Sequence, residues 1–370
     1  MNNTTIGNTC SRFSSGDTIR AGEINASDKF PVFGGNGLRG YSNKSNFVGE
    51  CAIIGRQGAL CGNVKYFEGE AFMTEHAIVA VANEDNVSGY LALVFELMNL
   101  GRYQGQSAQP GLSVNTLLNV KLSVHDKSEQ SKIFSFINTI NKKVDNNNKI
   151  NIELESMAMT LYDYWFMQFE FPNEEGKSYK SFGGKMVWCD ELNKEIPEGW
   201  EARQIGDILI TADKSKIQVN GAKEKGEFPF FTSGESILAY HKYFVDGFNV
   251  FLNTGGNPDI KAYKGKCAYS TDTWCISAKQ YSYILYHYLL KLMPQFEQLF
   301  FAGSGLKHLQ KDALKSKYIL LPDNIVLEAF NESCSSIWGR ITNCSIQNLE
   351  LSSLRDFLLP LLMNSQVTFK

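Results

Sequence analysis

Two stretches of the chain carry their apolar residues at alternating steps of four and three. Positions 133, 137, 140, 144, 147, 151, 154, 158, 161 and 165 read Ile, Ile, Ile, Val, Asn, Asn, Leu, Ala, Leu, Trp. Positions 330, 334, 337, 341, 344, 348, 351, 355 and 358 read Phe, Cys, Ile, Ile, Cys, Asn, Leu, Arg, Leu, a weaker seam that Pro360 is expected to close. This is heptad spacing, and it predicts two long helices. Asn147, Asn151 and Asn348 place amides at core positions, a device that fixes register at some cost in stability. About 40 helical residues span roughly 60 Å, more than a small domain encloses. The two helices are therefore expected to pack as an antiparallel coiled coil that holds the remaining parts of the chain apart.

Outside the seams the pattern is mixed. Short strand-like runs at Cys51 to Ile54, Ala77 to Val81, Asn249 to Leu252 and Thr273 to Ser277 are separated by Gly and Asn turns, and Val87 to Leu100 and Tyr281 to Phe300 read as helices. The order repeats after roughly 195 residues, a period far too long for a solenoid. Ile6-Gly7-Asn8 returns as Ile205-Gly206-Asp207, and Phe30-Pro31-Val32-Phe33 with a stretch ending in Tyr41 returns as Phe228-Pro229-Phe230-Phe231 with one ending in Tyr240. Lys65-Tyr66 falls near Ala262-Tyr263, Gly111-Leu112 matches Gly305-Leu306, and Leu161-Tyr162-Asp163-Tyr164 matches Leu354-Arg355-Asp356-Phe357. The fold class expected is α+β, with two mixed α/β domains separated by the two long helices. The domains are placed at 1–125 and 198–322, the helices at 126–170 and 323–370, and a linker at 171–197.

Composition narrows the chemistry. Among 370 residues, 36 Lys and Arg against 39 Asp and Glu give a net charge of -3, so no overall positive field draws the chain to nucleic acid or acidic membranes. Residues 1–125 hold 9 basic against 10 acidic residues, and 198–322 hold 15 against 12. No signal peptide or membrane span is read, and eight scattered Cys without a C-x-x-C pair fit buried thiols in a reducing cytoplasm. The five His (76, 125, 241, 287, 308) have no second ligand at helical spacing, so no metal is expected.

The catalytic motifs fail in turn. Gly35-Asn36-Gly37-Leu38-Arg39-Gly40 fits G-x-G-x-x-G, but the residues that follow form turns instead of opening a helix, so a Gly-rich turn between two strands is expected there and no dinucleotide cofactor. Asn257-Pro258-Asp259-Ile260 lacks the second Pro and the aromatic of a base-amino methyltransferase loop, and no P-loop or H-E-x-x-H string occurs. No catalytic residue and no cofactor is assigned.

What remains is polar and basic residues in Gly-rich segments at matching places. In the first copy these are Asn36, Arg39 and Tyr41; Arg56 and Gln57; and Arg102, Gln104, Gln106 and Gln109. In the second they are Thr232, Ser233, Tyr240 and Lys242; Asn253, Thr254 and Asn257; and Ser304, Lys307 and His308. Such side chains match base edges, and Gly permits close backbone approach to phosphate. Hydrophilic loops without a ligand have the same composition, and that reading stays open.

From Leu161-Tyr162-Asp163-Tyr164-Trp165-Phe166-Met167-Gln168-Phe169-Glu170-Phe171-Pro172, through Gly183-Gly184-Lys185-Met186-Val187-Trp188, to Glu195-Ile196-Pro197-Glu198-Gly199-Trp200, the chain resembles the specificity (HsdS) subunits of type I restriction-modification systems. Phe30 to Tyr41 and Gln109-Pro110-Gly111-Leu112-Ser113 resemble the first-domain signatures of that family, and the likeness covers essentially the whole chain. It implies a subunit without catalysis of its own, in which each domain reads one half of a split, asymmetric double-stranded DNA target. The helices would dock two modification (adenine methyltransferase) subunits, and a motor-nuclease restriction subunit would join them. Two alternatives are carried. One is a duplicated DNA methyltransferase or nuclease; the other is a specificity subunit of a related phage-defence complex that has a methyltransferase and no nuclease.

Overall fold

The structure is a computed structural model, and it describes residues 1–58, 60–105, 111–222, 226–234, 236–305 and 307–369. Gln106, Gln109, Glu235 and Leu306 lie outside the described residues. The chain divides into two compact units, Met1–Lys142 with Leu354–Lys370, and Lys143–Ser353.

Unit 1 begins with β1 (Asn2–Thr5), α1 (Ile6–Thr9) and β2 (Cys10–Ser15), followed by β3 (Phe30–Gly34), β4 (Gly37–Ser42), β5 (Phe47–Gly55), β6 (Val64–Met73) and β7 (Ala77–Ala82). Then come α2 (Ser88–Leu97), α3 (Val114–Leu118), β8 (Lys121–Val124) and the start of α4 (Lys127–Tyr162). Six strands form one sheet in the order β2-β7-β5-β6-β3-β4, in which β3 and β6 run parallel. The apolar residues of α2, Tyr90 to Phe95, cover one sheet face with Ala52, Ile54, Ile78 and Ala80, and Ile133 and Ile137 of α4 join the same core. The G-x-G-x-x-G string supplies the hairpin turn between β3 and β4 at Gly35-Asn36 and then the first residues of β4, and it opens no helix.

Unit 2 takes the rest of α4, then β9 (Met186–Cys189), β10 (Lys194–Pro197), β11 (Glu201–Gln204), α5 (Ile205–Ile208), β12 (Ile210–Thr211), β13 (Phe228–Phe231), β14 (Ile237–Tyr240) and β15 (Phe248–Asn253). It continues with β16 (Ile260–Lys264), β17 (Ala268–Tyr269), β18 (Thr273–Ser277), α6 (Ser282–Phe300), β19 (Phe301–Ala302), β20 (His308–Leu309), α7 (Lys311–Lys315), β21 (Tyr318–Leu321) and most of α8 (Asn324–Met363). The topology repeats that of unit 1. The β1–β8 pair returns as β11–β21, and β2-β7-β5-β6 returns as β12-β18-β15-β16. The parallel β3–β6 step returns as β13–β17. One long strand of unit 1, β6, is broken in unit 2 at 265–267, so its single six-stranded sheet becomes two smaller ones.

The two long helices pair antiparallel wherever one unit contains both. In unit 2, Asn147 meets Asn348 and Asn151 meets Ser345; in unit 1, Asn141 accepts from Arg355 Nη1 at 3.2 Å. Helix α4 ends in a π-turn, Asp163–Met167, whose Trp165 and Phe166 pack with Phe330, while Phe166 also meets Trp200. One expectation fails: Pro360 does not close the second helix, which runs on to Met363. A proline removes one amide donor, and this one sits a single turn from the helix end, where Asn364 N still donates to the Pro360 carbonyl at 3.1 Å. No described helix is long and apolar enough to cross a membrane.

Candidate nucleic-acid interface

In unit 1, three segments meet at one end of the sheet. The β3–β4 turn presses against the chain that leaves β5: a Cβ at Gly35 would lie 2.6 Å from the Gln57 carbonyl, and Gly37 holds φ at +91°, so both positions favour glycine. The third segment is tied to the second, because Leu112 N donates to the Arg56 carbonyl at 2.9 Å and Gln57 bridges to Gly111. Gly105 N also donates to the Gly111 carbonyl at 3.2 Å. Asn36, Arg39 and Gln57 are exposed at this end, and a cleft of about 370 Å³ opens beside Asn36 and Gly37. A second cleft of about 380 Å³ lies between Arg56, Gln57 and Gly111 to Asn115.

Not every expected contact residue is available. Arg56 is half-buried, and its guanidinium lies at 3.3 Å from Ser15 Oγ and at 3.4 Å from the carbonyls of Glu75 and Leu112. Its own carbonyl also accepts from the Cys61 thiol at 3.1 Å, a group that burial pushes above its ordinary pKa. Gln104 Nε2 reaches the Cys61 carbonyl at 3.3 Å, and the exposed Arg102 stacks on Tyr103. Arg56 thus supports the loop that Gln57 presents.

Unit 2 gathers the same three segments. Leu309 N donates to the Thr254 carbonyl at 3.1 Å and Gly255 bridges to His308, repeating the Leu112–Arg56 and Gln57–Gly111 links. The counterpart of Gly111-Leu112 is therefore His308-Leu309, not Gly305-Leu306 as string matching suggested. Asn253 is 5% exposed, and its Nδ2 donates to the carbonyls of Ser233 at 2.7 Å and Asn257 at 3.0 Å. Thr232, also buried, turns its hydroxyl to the Ser236 carbonyl at 2.9 Å. Both hold the turn from inside. Ser304, Lys307, His308 and Asn257 are exposed, with Lys307 paired to Glu297 at 2.6 Å.

Tyr41, Tyr240 and Lys242 are not brought to these loop clusters. Tyr41 pairs with Pro31 and Tyr240 with Phe228, both at the far ends of their hairpins, more than about 10 Å along the strand from the turn. The two tyrosines are not equivalent either, since a bulge between Val32 and Phe33 shifts the register by one residue.

The sequence reading missed a pair of lysines. Lys65 on β6 lies opposite Ile53, and Lys261 on β16 lies opposite Phe251, beside the turn in each unit. Matching Lys65-Tyr66 to Ala262-Tyr263 was one residue out of register, which hid them; the signal was that single-residue slip. Among the described residues no group of three or more His, Cys, Asp and Glu is placed to hold a metal.

The comparisons agree with this duplication. The type I restriction modification DNA specificity domain matches residues 3–156 and again 197–325. The type I restriction enzyme MjaIX specificity subunit of Methanocaldococcus jannaschii is 28% identical over 309 residues, 75% of this chain and 68% of that one. The EcoprrI specificity subunit of Escherichia coli is 42% identical over 108 residues, 29% of this chain and 27% of its own. In fold, the S subunit of a type I restriction-modification system from M. genitalium aligns with a TM-score of 0.64 at 12% identity, covering 98% of this chain and 95% of that one. With the specificity domain matched twice and built twice on one topology, the chain belongs to the type I restriction-modification DNA specificity family, as a specificity subunit.

Proposed function

We propose that the domains at 1–125 and 198–322 each read one half of a bipartite, asymmetric target in double-stranded DNA. The observation that carries this is the recurrence of one three-segment loop cluster, on the same backbone links, with different side chains at its tip: Asn36, Arg39 and Gln57 in the first domain, Ser233, Asn257 and His308 in the second. Shared backbone with divergent polar groups, all of them exposed except the half-buried Ser233, suits two readers of different half-sequences. Arg102, Gln104, Gln106 and Gln109 are assigned to reading in the first domain, and Thr254, Ser304 and Lys307 to reading in the second. Arg56, Thr232 and Asn253 act through the loops they hold, and Tyr41, Tyr240 and Lys242 flank the hairpins.

The helical segments at 126–170 and 323–370, joined to the second domain through 171–197, dock two methyltransferase subunits in the cytoplasm and set the gap between the half-sites. A restriction subunit completes the complex. Methylomes of cells with and without the gene test this: a split adenine-methylated motif should appear only with it. Exchanging 1–125 for the equivalent region of a relative should alter one half of that motif. A change in both halves, or no motif at all, refutes the reading.

A further inference from the structure

Strand register makes Lys65 and Lys261 equivalent, and their neighbours confirm it. Two residues later, Phe67 packs on Phe33 with ring centroids 5.1 Å apart, and Tyr263 packs on Phe231 at 5.6 Å. Two residues earlier, the Asn63 carbonyl accepts from Gly55 N at 2.9 Å, and the Asp259 carbonyl accepts from Asn253 N at 3.2 Å.

The charges differ in what they meet. The Lys261 ammonium donates to the carbonyls of Thr232 at 3.1 Å and Gly234 at 2.6 Å and pairs with the Asp259 carboxylate at 2.7 Å, so it is neutralised inside the domain. In the first domain Asn63 stands where Asp259 would be. Lys65 has no hydrogen-bond or ion-pair acceptor among the described residues. Its ammonium lies over the Phe33 ring, 5.7 Å from the ring centre, and Lys65 is among the residues that line the cleft of about 370 Å³ with Asn36, Gly37 and Asn63.

We infer that Lys65 is a phosphate-binding position of the first domain, holding a DNA backbone oxygen at the mouth of this cleft, with no counterpart in the second domain. The inference rests on the reading of the two domains as DNA readers. An ammonium is a compact point charge without the fork of arginine, and a lone one beside a glycine turn suits a phosphate oxygen, which carries no base identity.

The test measures binding of the assembled complex to a duplex bearing its methylated motif across a range of salt concentrations. Lys65→Gln should reduce the slope of log affinity against log salt by about 0.9 and leave the motif unchanged. Asn63→Asp, which restores the counterion found in the second domain, should reduce the slope with Lys65 intact. Lys65→Arg should keep the slope. An unchanged slope in Lys65→Gln overturns the inference, and so does a relaxed base position in its motif. Absence of sequence-dependent binding by the wild-type complex would instead overturn the reading of the domains as DNA readers.

Discussion

Asn147 and Asn348 face each other from the two long helices, with Asn147 Nδ2 donating to Asn348 Oδ1 at 2.9 Å. Asn147 is fully buried, Asn348 donates in turn to Asn148 Oδ1 at 2.8 Å, and the Oδ1 atoms of Asn147 and Asn151 have no partner among the described residues. A seam that was apolar throughout could slide by a heptad; this amide layer pairs in one alignment only.

Asn147→Leu should therefore cost about 1–3 kcal/mol, because it removes the donor to the Asn348 Oδ1 atom. Replacing Asn147 and Asn348 together with Leu should restore or exceed the wild-type melting temperature, since an apolar pair needs no partners. The paired variant should also lose its single helix register, which sequencing of methylated sites would read as more than one gap between unchanged half-sequences. A single gap would show that other contacts set the register.

Arg56 and Gln57 are adjacent in sequence and opposite in role. Arg56→Ala removes the side chain that reaches Ser15, Glu75 and Leu112, so it should destabilise the first unit by about 1–3 kcal/mol and weaken recognition as a whole. Gln57→Ala should leave the melting temperature unchanged and relax one position of one half-site, a discrimination worth about 1–3 kcal/mol. Denaturant titration and methylation motifs, measured on both variants, separate the two effects.

Asn253→Ala deletes the donor that holds the carbonyls of Ser233 and Asn257. The expected result is a loss of about 1–3 kcal/mol in stability and blurred reading of the second half-site only. Loss of reading in the first half-site would contradict the independence of the units.

His287 gives the second unit a pH dependence. The ring is buried and stacked on Tyr162, with its Nδ1 2.7 Å from the Tyr283 carbonyl, and Nε2 has no partner among the described residues. Burial pushes the imidazole down to about 4, against smaller upward effects of the Tyr283 carbonyl and Asp163. Below about pH 6.5 the unfolded chain takes up a proton that the folded chain refuses, so this contribution is complete above that pH and is lost as the pH falls toward 4. The loss should reach about 3 kcal/mol. His287→Phe keeps a ring beside Tyr162 and should flatten the pH dependence in urea titrations between pH 7 and 4.5.

Much of the architecture was legible because it is written locally. Heptad spacing marked α4 and α8 before any packing was known, and the runs at Cys51 to Ile54 and Thr273 to Ser277 lie within strands β5 and β18. Repeated strings such as Phe30 to Phe33 and Phe228 to Phe231 fell on equivalent strands for the same reason: interior strands of a duplicated sheet, flanked on both sides, keep their apolar letters. The loop segments of the candidate interface were identified as segments, but not what each residue does within them.

The sequence by itself determined the duplication, the two helices and the turn at Gly35 to Gly37, all of which depend on residue type and short spacing. Only the tertiary structure decided that Leu309 takes the place of Leu112, that Thr232 and Asn253 face inward, and that Lys261 is neutralised where Lys65 is not. Those outcomes depend on cross-strand register. A one-residue bulge at Arg39, opposite Val32 and Phe33, or a break at 265–267 changes which side chains meet while leaving the matching strings in place.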